Sequence, residues 1–343
     1  MPRLTAKILT TTLLAAGLCS AATLALADGK LTTVKACIFD PLGSQGPAFS
    51  MAKDQSLEAK RWGLDLVLEA YTDERIAAET FKAGQCDMVD VPTLRARQFV
   101  KFAGSADSIG GLQSYQEMND LVQLMANPKM GKMLIDGDYE VAGLVPLGAA
   151  YVMVRDRAIN SVETAAGRKV AVLEWDKSQS ELVQRMGAQP VASDVTNFFG
   201  KFNNGQVDII ASPAIAYKPF ELYKGLGNKG AVYRFPLAQV TGSLIIRRSK
   251  MPPNVDIGQK AREYIATQVK KSFDAIAIAE KDIPDRYWMD LKPSDKEKYI
   301  KMMRDARILL TKEGVYDPRM MSVLKRIRCK HNPTDAECTL NDE

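Results

Sequence analysis

Histidine is almost missing from this chain: His331 is the only one among 343 residues, and it falls in a polar C-terminal stretch. A Ser-His-Asp or Cys-His arrangement is thereby left without a base. No G-x-x-x-x-G-K-[ST] loop is present to cradle phosphates, and no G-x-S-x-G turn presents a nucleophilic serine. Paired carboxylates such as Glu174 and Asp176 occur in every globular protein and do not restore the case for catalysis. An enzyme is the last of the readings considered, and no pattern asks for a cofactor. The five cysteines include no Cys-x-x-Cys pair to begin a zinc site, so no metal is expected.

Charge of one sign is scarce as well. The 46 basic and 41 acidic residues nearly balance, and the basic ones sit beside acids along helices instead of forming a stripe interleaved with aromatics. Such a distribution gives no footprint for nucleic acid or another polyanion.

Long apolar runs are limited to the N-terminus. Arg3 and Lys7 precede an apolar stretch from Ile8 to Leu26 that ends in Ala25-Leu26-Ala27, the charged, apolar, small-residue order of a secretory signal peptide cleaved near Ala27. Thr10 to Thr12, Gly17 and Ser20 weaken it as a membrane anchor, which needs roughly 20 strongly apolar residues. Cys19 follows Leu18 where a lipid-attachment site wants a small residue, so it does not read as a lipoprotein signal. The expected location after export is the periplasm. Removing residues 1–27 takes two basic residues and no acid.

Four cysteines then remain, and four allow three pairings in an oxidising compartment. Cys37–Cys86 is favoured because both belong to expected parallel strands of one sheet. Cys329–Cys338 is favoured because a short polar loop separates them.

The chain has two similar halves. Val34 to Phe39 reads as a strand, Asp40 opens the turn Pro-Leu-Gly-Ser-Gln-Gly-Pro, and a helix follows from about Pro47 to Trp62 with Gly63 past its end. Leu64 to Tyr71 reads as a strand, Asp73 caps a helix to Ala83, and Cys86 to Val91 is another strand. A second run repeats the order: strand Ala149–Arg155, helix from Ser161, strand Lys169–Leu173, helices near Ser180–Met186 and Val195–Phe202, strand Val207–Ala211. Val195, Phe198, Phe199 and Phe202 fall at helical spacing and read as core packing rather than a ligand box. Phe81-x-x-Gly84-Gln85-x-Asp87 and Pro92 match Phe202-x-x-Gly205-Gln206-x-Asp208 and Pro213, a weak repeat at the same step of both runs.

A return strand Val240–Arg247 and helices near Ile257–Ala279, Ser294–Thr311 and Asp317–Ile327 complete the chain. Ser294 with Glu297 reads as a capping box, Asp317-Pro318 as a helix start, and His331 to Glu343 as an irregular tail. The expected fold class is α/β: two lobes of the periplasmic-binding-protein type (type II-like), each a mainly parallel sheet flanked by helices, joined by a hinge and C-terminal helices. The expected divisions are 1–27 signal, 28–148 lobe I completed by part of 240–280, 149–239 lobe II, 240–328 return strand and helices, and 329–343 tail.

Ligands of open parallel sheets sit beyond the carboxyl ends of the strands. That nominates Asp40 and the Gly43-Ser44-Gln45-Gly46 turn, Tyr71, Thr93, Arg95 and Arg97 from the first half. From the second it nominates Tyr151, Glu174, Trp175, Asp176 with Ser178, Ser212 and Tyr217. Amides of the Gly43–Gly46 turn precede a helix and are suited to an anionic group, although plain chain reversal explains the turn equally well. Arg95 and Arg97 would meet a carboxylate or phosphate, yet they stand two apart on an expected helix, so only one should point inward, and a surface ion pair is the favoured role for either alone. Trp175 and Tyr217 read either as stacking surfaces for a ligand or as packing.

The stretch from Ala165 to Pro213, with Gly167-Arg-Lys169, Gly187-Ala-Gln-Pro190 and Gly205-Gln-Val207-Asp208, resembles the second lobe of DctP-type solute-binding proteins of tripartite ATP-independent periplasmic (TRAP) transporters. Ile283-Pro-Asp-Arg-Tyr-Trp288 and the helix after it resemble that family's late helical segment. The whole chain, including Leu94 to Ser105, Lys201 to Asp208 and Met320 to Arg326 with the tail cysteines, resembles solute-binding proteins of the AdeT type, some of which are labelled as components of resistance-nodulation-division (RND) efflux.

The resemblance implies closure of two lobes over one small-molecule solute, commonly an organic anion, and delivery to integral membrane transporter subunits. It also implies an arginine on the strand Lys169-Val170-Ala171-Val172, where this sequence has none. Arg155, Arg95 and Arg97 are the substitutes available, and a solute that is not an acid is the other way to account for the departure. The competing function is a periplasmic accessory of an RND pump. This chain has neither the many spans of such a pump nor the long heptads of an adaptor.

Overall fold

The structure, a computed structural model, describes residues 31–343. The expected signal segment 1–27, with Cys19, lies outside the described residues. Strand β1 (Thr32–Phe39) shows how local pattern becomes packing. Val34, Ala36 and Ile38 point to one face, where Phe49, Ala52 and Ala59 of the helix Pro47–Arg61 cover them. Cys37 points to the other face, against Phe81, Cys86 and Val89. A strand covered on both sides has no solvated face, which is why it reads as a continuous apolar run.

Nine further strands follow: β2 (Leu64–Tyr71), β3 (Met88–Pro92), β4 (Ile135–Asp136), β5 (Tyr139–Val154), β6 (Lys169–Leu173), β7 (Gln189–Ser193), β8 (Ile209–Pro213), β9 (Ala231–Arg247) and β10 (Trp288–Met289). The main order across the sheet is β2-β1-β3-β9-β5-β8-β6-β7. β1 pairs parallel with β2 and β3 at one end, and β6 pairs parallel with β7 and β8 at the other. Between them β5 and β9 run antiparallel along most of their length, β9 reaching β3 and β5 reaching β8. The two parallel groups are thus halves of one continuous sheet rather than separate sheets. Residues 31–343 form a single compact unit. No helix among the described residues is long and apolar enough to cross a membrane.

The weak sequence repeat is structural in each of its parts. Asp87 accepts from the Lys35 amide at 3.0 Å, and Asp208 accepts from the Lys169 amide at 2.9 Å, each pinning the start of a central parallel strand. Arg247 donates to the Phe81 carbonyl and Arg155 to the Phe202 carbonyl, both at 2.8 Å, closing the two equivalent helix ends. Gly84 and Gly205 follow with φ of 76° and 73°, the left-handed region that favours glycine at a helix end. Arg155 is therefore spent on a helix end.

Both expected disulfides are present, Cys37–Cys86 and Cys329–Cys338, with Cα separations of 6.0 and 5.7 Å that suit the bond.

Several expectations need correction. β5 begins at Tyr139, ten residues before Ala149, because register shifts beside Gly143 and Gly148 absorb what looks like a loop around Pro146. β9 likewise begins at Ala231 rather than Val240. Position 148, the expected lobe boundary, lies inside β5. The helix Tyr115–Ala126, started by a capping box of Ser114 and Glu117, and the edge strand β7, which tolerates Pro190 because it is an edge, are additional elements. Ser294 and Glu297 form no capping box: Pro293 already occupies the first helical turn, with Lys292 in the flanking position.

The C-terminal stretch is not an irregular tail. A helix runs Pro318–His331, a 3-10 turn spans Ala336–Thr339, and Glu337 is buried against Arg307 and Arg328.

Candidate functional site

β1, β3, β6 and β8 all end at one cavity of about 460 Å3, to which Phe39, Asp40, Asp90, Pro92, Leu173, Ser212 and Pro213 contribute from or just beyond the strand ends. Leu147 and Ala150 of β5 and Val240 and Gly242 of β9 form the wall shared by both halves. Leu182 of the helix Lys177–Arg185 and Phe199 of the helix Val195–Asn203 add apolar surface from the second half. The lining holds five acids, Asp40, Glu74, Asp90, Asp107 and Asp176, and neither lysine nor arginine.

Each acid has a different employment. Asp40 is buried and accepts from the amides of Leu42, Ala48 and Phe49 at 2.9, 2.8 and 3.1 Å. Its carboxylate sits where the amide cradle before the helix Pro47–Arg61 was expected to take an external anion. Gly46 makes this possible, since a Cβ there would lie 1.9 Å from Asp40 Oδ1.

Asp107 is buried beside Thr241, whose amide donates at 2.8 Å and whose hydroxyl lies 2.7 Å from both Asp107 and Thr93. Thr93 in turn lies 2.7 Å from the Ser243 hydroxyl. Burial still pushes the Asp107 carboxyl up to about 7, although the Thr241 bonds oppose it.

Asp90 has no such support. Burial, and then the charge of Asp40, push its carboxyl up to about 7. An acid with a raised native value holds its proton in the folded state at a pH where the unfolded chain has lost it. Its cost to folding is therefore absent below the unfolded value near 3.8, builds up as pH rises from there to about 7, and is complete above. Asp90→Asn should gain on the order of 2 kcal/mol at pH 8 over the wild type, shrinking towards zero only below about pH 4. Denaturant unfolding at both pH values checks this, and an unchanged pH slope in the variant would contradict it.

Glu74 and Asp176 lie where the halves meet. Glu74 Oε1 accepts from Arg95 at 2.8 Å and from the Trp175 indole at 3.0 Å, and the Arg95 guanidinium stacks 3.8 Å from the Trp175 ring. Burial raises the Glu74 carboxyl even against Arg95. Asp176 accepts from Arg97 at 3.3 Å and from the Ser178 amide and hydroxyl at 3.1 and 2.6 Å, so it also caps the helix Lys177–Arg185. Trp175 and Asp176 from the second half thus engage Glu74, Arg95 and Arg97 from the first.

Of the residues nominated from sequence, Asp40, Asp176, Ser178 and Ser212 line the cavity. Arg95 and Arg97 are not in its lining; both are held in ion pairs, the role favoured for either alone, but the pairs are largely buried at the junction rather than on the surface. Trp175 covers Arg95, and Thr93 belongs to the buried hydroxyl chain. Gln45 is exposed in the turn Gly43–Gln45. Tyr71 packs at the end of β2, and Tyr217 is buried in the second-half core. Tyr151 donates to Glu280 at 2.5 Å and packs edge-on against Trp288 at 5.0 Å. Asp90, Asp107 and Phe199 are lining residues that were not nominated. Phe202 is core, as its spacing suggests, whereas Val195, Phe198 and Phe199 also face the cavity, with Phe199 stacked on Phe220 at 4.2 Å.

With this geometry in hand, similarity to known proteins becomes informative. The family profile described as "Solute-binding protein AdeT 1/2" matches residues 54–343. The chain belongs to the AdeT 1/2 solute-binding protein family. "Probable solute-binding protein AdeT1" of Acinetobacter baumannii is 50% identical over 306 residues, covering 89% of this chain and 100% of that one. "Probable solute-binding protein AdeT2" of the same organism is 30% identical over 238 residues, covering 69% and 99%. Among solved structures, a TRAP periplasmic solute-binding protein from Ralstonia eutropha, with bound (S)-2-acetolactate, has a TM-score of 0.72 at 15% identity, covering 87% of this chain and 99% of that one. A TRAP periplasmic solute-binding protein from Desulfovibrio salexigens, with bound orotic acid, has a TM-score of 0.69 at 13% identity, covering 87% and 99%. The AdeT 1/2 chain therefore shares the α/β fold of TRAP binding proteins, and its family is one of solute capture.

Proposed function

We propose that the chain captures a small solute in the 460 Å3 cavity outside the cytoplasm and delivers it to an integral membrane transporter of the TRAP type. The observation that carries this reading is the convergence of four strand ends, two from each half of the sheet, on one cavity. Solute-binding relatives and TRAP-like folds support it, as do the signal-like N-terminus and the two disulfides, which suit an oxidising compartment. Residues Trp175 and Asp176 would close the halves over the bound molecule. Screening the exported protein by thermal shift against acids, amino acids, sugars, alcohols and amines should find saturable stabilisation by at least one class, because a ligand of the folded state raises its melting temperature. Silence across every class, with protein recovered from the periplasm carrying no small molecule, would overturn the reading.

A further inference from the structure

Taking the cavity as the solute site, we propose that it selects a predominantly apolar solute bearing one neutral or basic hydrogen-bonding group, received by Asp90, and rejects carboxylates. Three observations converge on this class. The first is the wall. Met51, Leu94, Leu147, Leu182, Phe199 and Phe220 present hydrocarbon from both halves, and no lysine or arginine is part of the lining.

The second is the fate of the nearby arginines and of the helix-start amides. Arg95 and Arg97 are outside the lining and each is paired with an acid, Glu74 and Asp176, although Arg95 Nε and Arg97 Nη2 are buried without a hydrogen-bond partner. The amides at the start of the helix Pro47–Arg61 are filled by the protein's own carboxylate, Asp40. An incoming carboxylate would shed its water, meet no lysine or arginine among the described lining residues and face five acids, a burial of charge that proteins avoid unless it is compensated.

The third is Asp90. It lies at the carboxyl end of β3 opposite Leu244 of β9, with Gly242 beside it and its Oδ1 facing the space a Gly242 side chain would fill. The acid whose charge acts on it is Asp40. Unlike Asp40, Asp107, Glu74 and Asp176, which are buried and accept hydrogen bonds from the protein, Asp90 is only half-buried at the cavity and accepts none from the described residues. A hydroxyl or ammonium donor on the solute would supply that bond, and a basic group would also offset the charge of the surrounding acids.

A series with one tail and three headgroups tests the class. Octylamine, octanol and octanoate are titrated calorimetrically into the exported wild-type protein, with malonate and galacturonate as hydrophilic acids. The expected result is one-to-one binding of octylamine and octanol, with octylamine strongest and octanoate at least tenfold weaker than octanol. Asp90→Asn should abolish the advantage of the amine over the alcohol while keeping octanol binding. If octanoate or a hydrophilic acid binds tightest, the solute class is wrong while solute capture stands. If none of the octyl compounds binds, the proposal likewise fails, while the reading of the cavity as a solute site stands or falls with the broader thermal-shift screen.

Discussion

Glu337→Ala is expected to destabilise the protein by about 3–5 kcal/mol, the range for stripping one partner from a buried ion cluster. Glu337 accepts from Arg328 at 2.5 and 2.9 Å and from Arg307 at 3.4 Å. Glu343 accepts from Arg307 at 2.6 and 3.3 Å and from Arg328 at 2.6 Å. Two buried guanidiniums so close together repel: burial, and then the charge of Arg328, pull Arg307 below its ordinary value. The glutamates are what make that arrangement tolerable, and through it Arg307 and Arg328 hold the carbonyls of Ile109, Gly110 and Gly111 beneath the cavity wall.

Burial alone would raise the Glu337 carboxyl, but Arg328, Arg307 and Arg304 outweigh it and hold it below the usual carboxylate value. A depressed native value means stability that is complete above the unfolded value, near 4.5, and lost as pH falls through the folded one. The wild type should lose this contribution below about pH 4.5, and Glu337→Ala should show a flatter acid limb. Asp342→Asn, which removes a more exposed partner of Arg304, should cost less than about 1 kcal/mol. Equal effects of the two variants in urea unfolding would contradict the buried-cluster account.

The second large effect is expected at the junction of the halves. Arg97→Met leaves Asp176, whose side chain is 0% exposed, without its cation and should cost about 3 kcal/mol. It should also weaken closure, visible as a larger radius of gyration in solution scattering without ligand. Asp176→Asn keeps an oxygen to accept from Ser178 but removes the charge, so it should loosen the junction with a smaller loss of stability. Lys177→Ala, which breaks the exposed pair with Glu313, is the control and should change neither readout measurably. Unchanged stability and scattering in Arg97→Met would mean that the junction contributes nothing to holding the halves together.

Much of this fold was legible because the repeated elements obey simple periods. β1 and β6 announce themselves as short apolar runs, and the matching Asp87 and Asp208 sit at identical steps because both pin the start of a central strand. The long strands were harder. Pro146 and Gly148 in β5 and Pro236 in β9 look like breaks, and only the bulged pairing of these strands with each other accommodates them. Local composition does not encode such pairing.

The site was partly legible for a related reason. The strand-end rule reaches Asp40, Asp176 and Ser212, yet it cannot tell a ligand-facing arginine from one paired across the junction. Arg95 with Glu74 and Arg97 with Asp176 are 21 and 79 residues apart in sequence, so their pairing is set by the fold. Asp90 had a usable signal: in the internal repeat it aligns with Ala211, one residue before Ser212, and both Asp90 and Ala211 line the cavity. Its acidity within an otherwise apolar strand was a mark of that exposure.

The most direct test of the central claim is a crystal structure of the protein purified from its own periplasm without refolding. It should show electron density for one organic molecule bordered by Asp90, Phe199 and Ser212, with Trp175 hydrogen-bonded to Glu74 across the junction. A cavity filled by the protein's own side chains, or a molecule bound elsewhere while this space holds only water, would contradict the account.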